Sequence, residues 1–144
     1  MPRHLLLLTL LFLLSACDFI DNKLSFQNDS DYHVSLKWTH VDRHLDTTPL
    51  PVVTAEIANH KTEPIILLNQ HWRSVFREEG NVTLTVFSQS DIDSLSKLYQ
   101  EMGTYLPVED AMDTLSRLNK FKQTTLSESD LNHMNWLIRF PFDN

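Results

Sequence analysis

Apolar residues fill the start of the chain almost without interruption and then recur at regular intervals along the rest. The first block, residues 5–14, follows a short basic start at Arg3 and His4. It is too short to cross a bilayer, because a spanning helix needs about 20 apolar residues. A basic start followed by an apolar run of this length is typical of a secretory signal. We therefore predict that residues 1–16 form a signal peptide that is removed.

Alternation of apolar and polar residues predicts strands along much of the remaining chain. The pattern is clearest where Tyr32, Val34, Leu36 and Trp38 alternate with polar residues and so share one face. Strands are predicted at 24–26, 32–38, 52–58, 63–68, 82–87 and 135–141, and the strongly apolar 82–87 is expected in the middle of a sheet. Turn residues after the first and third of these strands predict two hairpins, in which 24–26 pairs with 32–38 and 52–58 pairs with 63–68.

Apolar residues spaced three or four apart predict short helices between the later strands. The predicted helices lie at about 70–79, 90–102, 107–118 and 128–134, and the end of the third could instead be strand. Ser90 with Asp93 forms a start that resembles a capping box, and the helix after it carries Ile92, Leu95, Leu98, Tyr99 and Met102 on one face. The last helix has the best-defined start: Ser127 and Asp130 form a second capping box, and Leu126 can pack on Leu131 as a hydrophobic staple.

These elements predict a mainly β protein of the α+β class. We expect an antiparallel β-sandwich or curved sheet of six to seven strands, carrying two to four short helices. Removal of residues 1–16 leaves 128 residues, which suffices for one domain and is too few for two. The predicted organisation is a signal peptide at 1–16, an acylated anchor with a short tether at 17–25, and one strand-rich domain at 26–144.

The leader ends at Leu14, Ser15, Ala16 and Cys17, where the small residues leave room for a peptidase. These four positions resemble the lipobox of bacterial lipoproteins. The resemblance implies that a diacylglycerol is attached to the Cys17 thiol, that the peptide bond before Cys17 is cut, and that the new amine is acylated, for example with palmitate. Two or three acyl chains would hold the protein on a membrane, since each buried methylene contributes about 0.8 kcal/mol. The alternative is an ordinary cleavage site followed by an incidental cysteine.

Composition then limits the chemistry. Cys17 is the only cysteine, so a lipid anchor there leaves no disulfide and no cysteine nucleophile. The signal takes one of the 12 basic residues and none of the 19 acidic ones, and the mature formal charge is therefore −8. That charge argues against nucleic acid, or an anionic bilayer surface, as the intended partner. With only two glycines, neither a phosphate-binding loop nor a dinucleotide fingerprint can be written, and no cofactor is predicted.

Metal-binding residue types crowd together at one place, where His40, Asp42 and His44 follow each other at intervals of two. On an extended chain the three share a face, and on a helix the two histidines lie one turn apart, so they are weak candidates for a metal clip. A third or fourth ligand is not evident nearby. The ordinary interpretation is a solvated loop.

Other catalytic arrangements are poorly supported, and no catalytic residue is predicted. The serines at 88–96 lack the glycines of a nucleophile elbow. Paired carboxylates of a glycosidase could be drawn from 78–79, 91–93 or 109–113, but helix starts favour negative charge without any catalysis. Trp38, Trp72 and Trp136 could form a platform for a glycan, although their apolar faces favour core packing.

A broader resemblance covers most of the mature chain. It is carried by the lipobox, by residues 26–31 and 46–51, by 84–87 with the following Ser-Asp-Ile, and by 131–141, whose Asn135-Trp136, Ile138 and Phe140-Pro141 are the most specific part. These features resemble the small uncharacterised lipoproteins of Bacteroides-type bacteria. The resemblance implies a compact strand-rich domain on an envelope membrane and brings no activity, cofactor or catalytic residue with it.

The sequence thus predicts a lipid-anchored protein of the bacterial cell envelope that faces the periplasm. We expect a non-enzymatic domain that contacts a protein or glycan partner, with the membrane bound through Cys17 and with no nucleic acid. The competing hypothesis is a small envelope hydrolase or metal-dependent enzyme that uses His40 and His44.

Overall fold

The computed structural model describes residues 20–40, 50–68 and 71–142. Within them the chain forms nine strands and four helices, so the α+β class is confirmed. In chain order the elements are β1 (Ile20–Asp21), β2 (Ser25–Asn28), β3 (Val34–His40), β4 (Leu50–Ile57), β5 (Lys61–Pro64), β6 (Leu67–Leu68), α1 (Trp72–Glu79), β7 (Asn81–Ser88), α2 (Gln89–Glu101), α3 (Val108–Arg117), β8 (Lys122–Ser127), α4 (Glu128–His133) and β9 (Leu137–Phe140).

The described strands form two larger sheets and one small one. The four-stranded sheet is fully antiparallel in the order β4-β3-β7-β8. The three-stranded sheet has the order β5-β2-β9, and in it β2 runs antiparallel to β5 and parallel to β9. The small sheet pairs β1 with β6. Strand β9 thus closes one edge of its sheet against β2.

One main core joins the two larger sheets with α1 and α4. It receives Phe26 from β2, Leu36 from β3, Leu84 from β7 and Trp72 from α1, all of which are buried. Burial of apolar surface contributes roughly 25 cal/mol for each Å², so this shared core is the main source of stability for the two sheets. The predicted faces of β3 and β9 are confirmed for Val34, Leu36 and Trp38 and for Trp136, Ile138 and Phe140, which are all buried, whereas Tyr32, predicted on the face of β3, precedes the strand and is 45 % exposed.

Several predicted elements are confirmed. Strand β7 lies inside the four-stranded sheet, between β3 and β8. Helix α1 ends at Gly80, whose positive φ of 78° is a conformation that residues with a Cβ rarely adopt. Helix α3 stays helical to Arg117, which excludes the strand alternative for its end, and it is followed by β8, a strand that was not predicted. Strand β9 ends before Pro141 at an edge of its sheet.

Other predictions were wrong. The two hairpins do not form, because β2 and β3 belong to different sheets, and so do β4 and β5. The count of six to seven strands was too low: β1 and β6 have two residues each, too few to show an alternation, and the predicted strand at 63–68 is divided between β5 and β6. Ser90 is not the cap of α2, which begins one residue earlier at Gln89.

Both mistaken hairpins are corners at which the chain crosses from one sheet to the other, and Asn28 fastens both corners. Its side-chain amide is fully buried and donates to the carbonyl oxygen of Tyr32 at 2.7 Å and to those of Ile57 and Ala58 at 3.2 Å each. Its side-chain oxygen accepts from the backbone N–H and the hydroxyl of Ser30, at 3.1 and 2.6 Å. Asn28 therefore holds the β2–β3 corner against the end of β4.

We predict that Asn28→Ala lowers the free energy of unfolding by about 2–4 kcal/mol, because the carbonyl oxygens of Ile57 and Ala58 lose the amide as a donor, while that of Tyr32 keeps the Ser30 hydroxyl. Asn81→Ala is the matched control. Asn81 is exposed at the start of β7, and its replacement should change stability by less than about 0.5 kcal/mol. Urea denaturation of both variants measures the difference. Equal stabilities would show that Asn28 does not hold the corner.

The capping box predicted at the start of α4 is confirmed. The Ser127 side chain accepts from the Asp130 backbone N–H at 3.2 Å, while the Asp130 carboxylate accepts from the Ser127 backbone N–H at 2.8 Å and from its hydroxyl at 2.7 Å. The hydroxyl of Ser127, followed by its backbone N–H, lowers the pKa of Asp130. The negative charge of the carboxylate thus strengthens the start of α4.

We predict a pH dependence from this box. Because the pKa of Asp130 is lower in the folded state than its unfolded value of about 3.9, its stabilisation is fully present above about pH 4 and is lost as the pH falls through the folded pKa. Asp130→Asn should therefore be less stable than the natural chain near neutral pH, and the gap should narrow in acid. Urea midpoints between neutral and acidic pH measure it, and a gap that does not change with pH would contradict the prediction.

Candidate functional site

Helices α2 and α3 form a hairpin inserted between the neighbouring strands β7 and β8. A second apolar cluster, separate from the main core, holds this hairpin together. Its buried members are Phe87, Ile92, Leu106, Ala111, Met112 and Leu115, and Leu95, Tyr99 and Phe121 pack against them. The insertion therefore has a small core of its own, to which Phe87 of β7 contributes.

The hairpin lies on the face of the four-stranded sheet that points away from the main core. Ser35 and Lys37 alternate in β3 with the core residues Leu36 and Trp38 and so point to the opposite side. Ser35 donates to the side-chain oxygen of Gln89, at the start of α2, and Lys37 pairs with Asp113 on α3. Two polar contacts thus fix the helices to the outer face of β3.

The hairpin carries five of the nine large apolar side chains that are exposed in the described residues. We name this group the α2–α3 patch: Leu98, Met102, Tyr105, Val108 and Leu118. Tyr105, in the connection between the helices, is 83 % exposed, and Met102 is 61 % exposed. A concentration of exposed apolar side chains on one element is typical of a surface that binds a partner.

The α2–α3 patch corrects one sequence prediction. Leu98 and Met102 share the helix face predicted from their spacing with Ile92, Leu95 and Tyr99, yet only the latter three pack into the second core. The neighbouring helix α3 covers part of that apolar face and leaves the rest exposed. The sequence shows which residues of a helix form its apolar face, but it does not show how much of that face a neighbouring element covers.

An open cleft of about 630 Å³ lies on the same hairpin. It is lined by Tyr99, Leu106, Asp110, Asp113, Thr114 and Arg117. Two of these groups already have partners, since Asp113 pairs with Lys37 and Arg117 donates to the Thr114 hydroxyl at 3.2 Å. The cleft therefore offers an aromatic ring and a carboxylate beside an apolar surface, an arrangement suited to holding a side chain of a partner protein.

Among the described side chains, the carboxylates considered for catalysis lie at structural positions. Asp91 is in the first turn of α2 and is 3.6 Å from the Lys120 amine, while Glu109 and Asp110 are in the first turn of α3. Negative charge at these places complements the helix dipole, as the sequence predicts. Asp93 accepts from the Gln89 side-chain amide at 2.9 Å.

The sequence-predicted site residues are mostly outside the described part of the chain. Cys17, Asp42 and His44 lie outside it, and of His40 only the backbone, at the end of β3, is described. Within the described residues no group of three or more His, Cys, Asp or Glu side chains could hold a metal ion. The lipid attachment at Cys17 and the metal clip therefore stay predictions.

The three tryptophans lie in the main core, as their spacing favours. Trp38 and Trp72 have ring centroids 5.7 Å apart, and Phe76 connects Trp72 to Trp136 at 6.3 and 6.0 Å. Trp72 donates its indole N–H to the carbonyl oxygen of Ile65 at 3.2 Å. With at most 6 % of each ring exposed, these residues do not form a surface platform for a glycan.

A second polar surface lies where the described structure begins, around β1 and α1. An open cleft of about 640 Å³ is lined there by Ile20, Asp21, Asn22, Lys23, His71, Arg73, Ser74 and Arg77. Asp21 accepts from the backbone N–H of Lys23 and of Trp72, at 2.9 Å each. Partial burial raises the pKa of Asp21, but these two donors and the nearby His71 outweigh burial, so the net shift is downward.

In a comparison with protein-family models, curated proteins and solved structures, no match was found for this chain. No helix in the described part of the chain has the length and apolar character needed to cross a bilayer.

Proposed function

We propose that this chain is a lipid-anchored protein of the bacterial cell envelope whose domain faces the periplasm and binds another protein. The anchor is the lipobox cysteine, Cys17, and the binding surface is the α2–α3 patch. The observation that carries the binding role is the concentration of exposed apolar side chains on one inserted helical hairpin. We also propose that the chain is related to the small lipoproteins of Bacteroides-type bacteria that its sequence resembles.

The charges around the α2–α3 patch indicate the kind of partner. Glu101 precedes Met102, and Glu109 and Asp110 follow Val108, whereas Lys97 precedes Leu98 and Arg117 precedes Leu118. A complementary surface would be apolar with charges of both signs at its rim, because opposite charges at the rim of an interface speed association and exclude wrong partners. The partner proposed here is thus a protein with an apolar surface that carries basic groups opposite the carboxylates near Met102 and Val108.

The scaffold suits this role. We infer that the two larger sheets pack as a sandwich, since Phe26 and Ile138 of one sheet and Leu36 and Leu84 of the other belong to the same core cluster. In such a sandwich the inner faces are filled by side chains, and a ligand has to bind outside the core. The α2–α3 hairpin, on the outer face of β3, is available for that.

The anchor is tested by the mass of the protein isolated from membranes. We expect a chain that begins at Cys17 and carries the added mass of acyl chains. Cys17→Ser should lack that mass, because serine has no thiol to modify. Ser15→Ala is the control, since it keeps a small residue before the cut and should be lipidated normally. An unmodified amino terminus at any other residue in the natural chain would overturn the anchor.

The binding surface is tested by site-specific photocrosslinking in native membranes. A photoreactive residue at Tyr105 should give a discrete product with one protein, and the same residue at the exposed Ser129 of α4 should not. In the Leu98→Glu/Met102→Glu variant the product from position 105 should disappear, because charge replaces the apolar centre of the surface.

The matched control for that variant is Ser94→Glu/Lys97→Glu, which changes exposed polar residues of the same helix and should keep the product. The binding role fails if positions 105 and 129 give the same products, or if the product persists when the α2–α3 patch is charged.

A further inference from the structure

We propose that the surface around β1 and α1 lies flat against anionic phospholipid headgroups, so that the domain has one fixed orientation on its membrane. This inference rests on the proposed lipid anchor at Cys17. We name the surface the β1–α1 face: Ile20, Lys23, Ile66, His71, Arg73, Ser74 and Arg77.

The length of chain between anchor and fold carries the first step. Only residues 18 and 19 separate Cys17 from Ile20, the first residue of β1. Three residue steps span at most about 10 Å even when fully extended. Because Cys17 would sit at the membrane surface, Ile20 cannot lie farther from that surface than this distance. The part of the domain around Ile20 must therefore face the bilayer.

The attachment of β1 to the domain carries the second step. Asp21 accepts from the Trp72 backbone N–H at the start of α1, and β1 pairs with β6. Leu24, three residues further on, is buried in the main core. The segment expected to be a tether is thus folded from Ile20 onward, and the orientation of β1 determines that of α1.

The charges of the β1–α1 face carry the third step. The whole chain is acidic, which taken alone argues against an anionic bilayer, but charge is unevenly distributed. The cleft on this face is lined by Lys23, Arg73 and Arg77, together with His71, against a single carboxylate, Asp21. Arg73 is 3.5 Å from Glu128, and within the described residues Arg77 makes no ion pair.

The short distance between the β1–α1 face and the membrane lets these charges attract anionic headgroups. At physiological ionic strength an electrostatic attraction decays over about 8 Å, which is comparable to the longest separation that the anchor allows. Each basic residue near an anionic membrane raises the membrane-binding constant about fivefold. Acidic residues elsewhere in the domain are screened at this range, so the local balance sets Lys23, Arg73 and Arg77 against Asp21, Glu128 beside Arg73, and Asp18 next to the proposed anchor in the sequence.

Apolar side chains complete the fit. Ile20 and Ile66 are 54 % and 46 % exposed, and they lie in β1 and directly before its partner strand β6. Exposed apolar residues beside basic ones are the composition with which a surface enters the boundary between headgroups and acyl chains. The β1–α1 face combines both.

The test uses the mature lipoprotein reconstituted in vesicles that contain phosphatidylglycerol and a lipid with a nitroxide on its headgroup. Acylation modifies the only natural thiol. A cysteine introduced by Ser74→Cys or by Ser94→Cys is then the single free thiol, and a thiol-reactive fluorophore labels that position alone. Ser74 lies in the β1–α1 face, and Ser94 lies on α2. We expect several-fold stronger quenching at position 74 than at position 94.

Variants with reversed charges test whether the basic residues of the β1–α1 face, and not the lipid anchor alone, orient the domain on the membrane. In Arg73→Glu/Arg77→Glu the quenching at position 74 should fall to that at position 94, and it should also fall in vesicles of phosphatidylcholine alone. Lys97→Glu/Lys122→Glu, which reverses two exposed charges on α2 and β8, should leave it unchanged.

Equal quenching at positions 74 and 94 in lipidated protein would contradict the proposed orientation and leave the anchor intact. Quenching at position 74 that does not change in Arg73→Glu/Arg77→Glu would contradict the orientation in the same way. A mass without acyl chains before reconstitution would instead overturn the anchor and this inference with it.

Discussion

A single buried amide holds the crossings between the two sheets of this domain. Asn28 lies at the end of β2, fully buried, and its side chain bonds to the corner that leads into β3 and to the end of β4. A buried amide with its donors and acceptor satisfied is stable only in one arrangement of the backbone around it, because each unmade bond costs free energy. Asn28 thereby selects the two crossings between sheets over the two local hairpins that the turn residues allow.

The two faces of β3 contact different parts of the domain. One face contributes Leu36 and Trp38 to the main core, and the other holds the α2–α3 hairpin through Ser35 and Lys37. The hairpin has its own apolar cluster, so its outer surface can vary without opening the main core. A scaffold and a separately packed insertion are a common way to carry a binding surface on a rigid body.

Individual strands and helices could be predicted from the sequence, but the pairing of the strands into sheets could not. The alternation in β3 and β9, the end of α1 at Gly80 and the capping box at Ser127 were predictable, because each depends on residues within one or two turns of chain. The parallel pairing of β2 with β9 joins positions more than a hundred residues apart, and no local signal marks it.

The candidate surface was harder to predict than the fold. The apolar spacing of α2 was visible, but the exposure of Leu98 and Met102 depends on how much of that face α3 covers. Asn28 gave no signal either, since an asparagine between a strand and an acidic turn usually indicates the turn itself. Of the predicted metal ligands, His40 ends β3, and Asp42 and His44 lie outside the described residues.

The pairing of β2 with β9 also sets an order of events during synthesis. Strand β2 is among the first elements to leave the ribosome, and one of its two neighbours is the last. Phe26 and Ile138, which lie opposite each other in that pairing, belong to the main core. A nascent chain therefore cannot complete its main core until Leu137–Phe140 has left the ribosome, more than a hundred residues after β2.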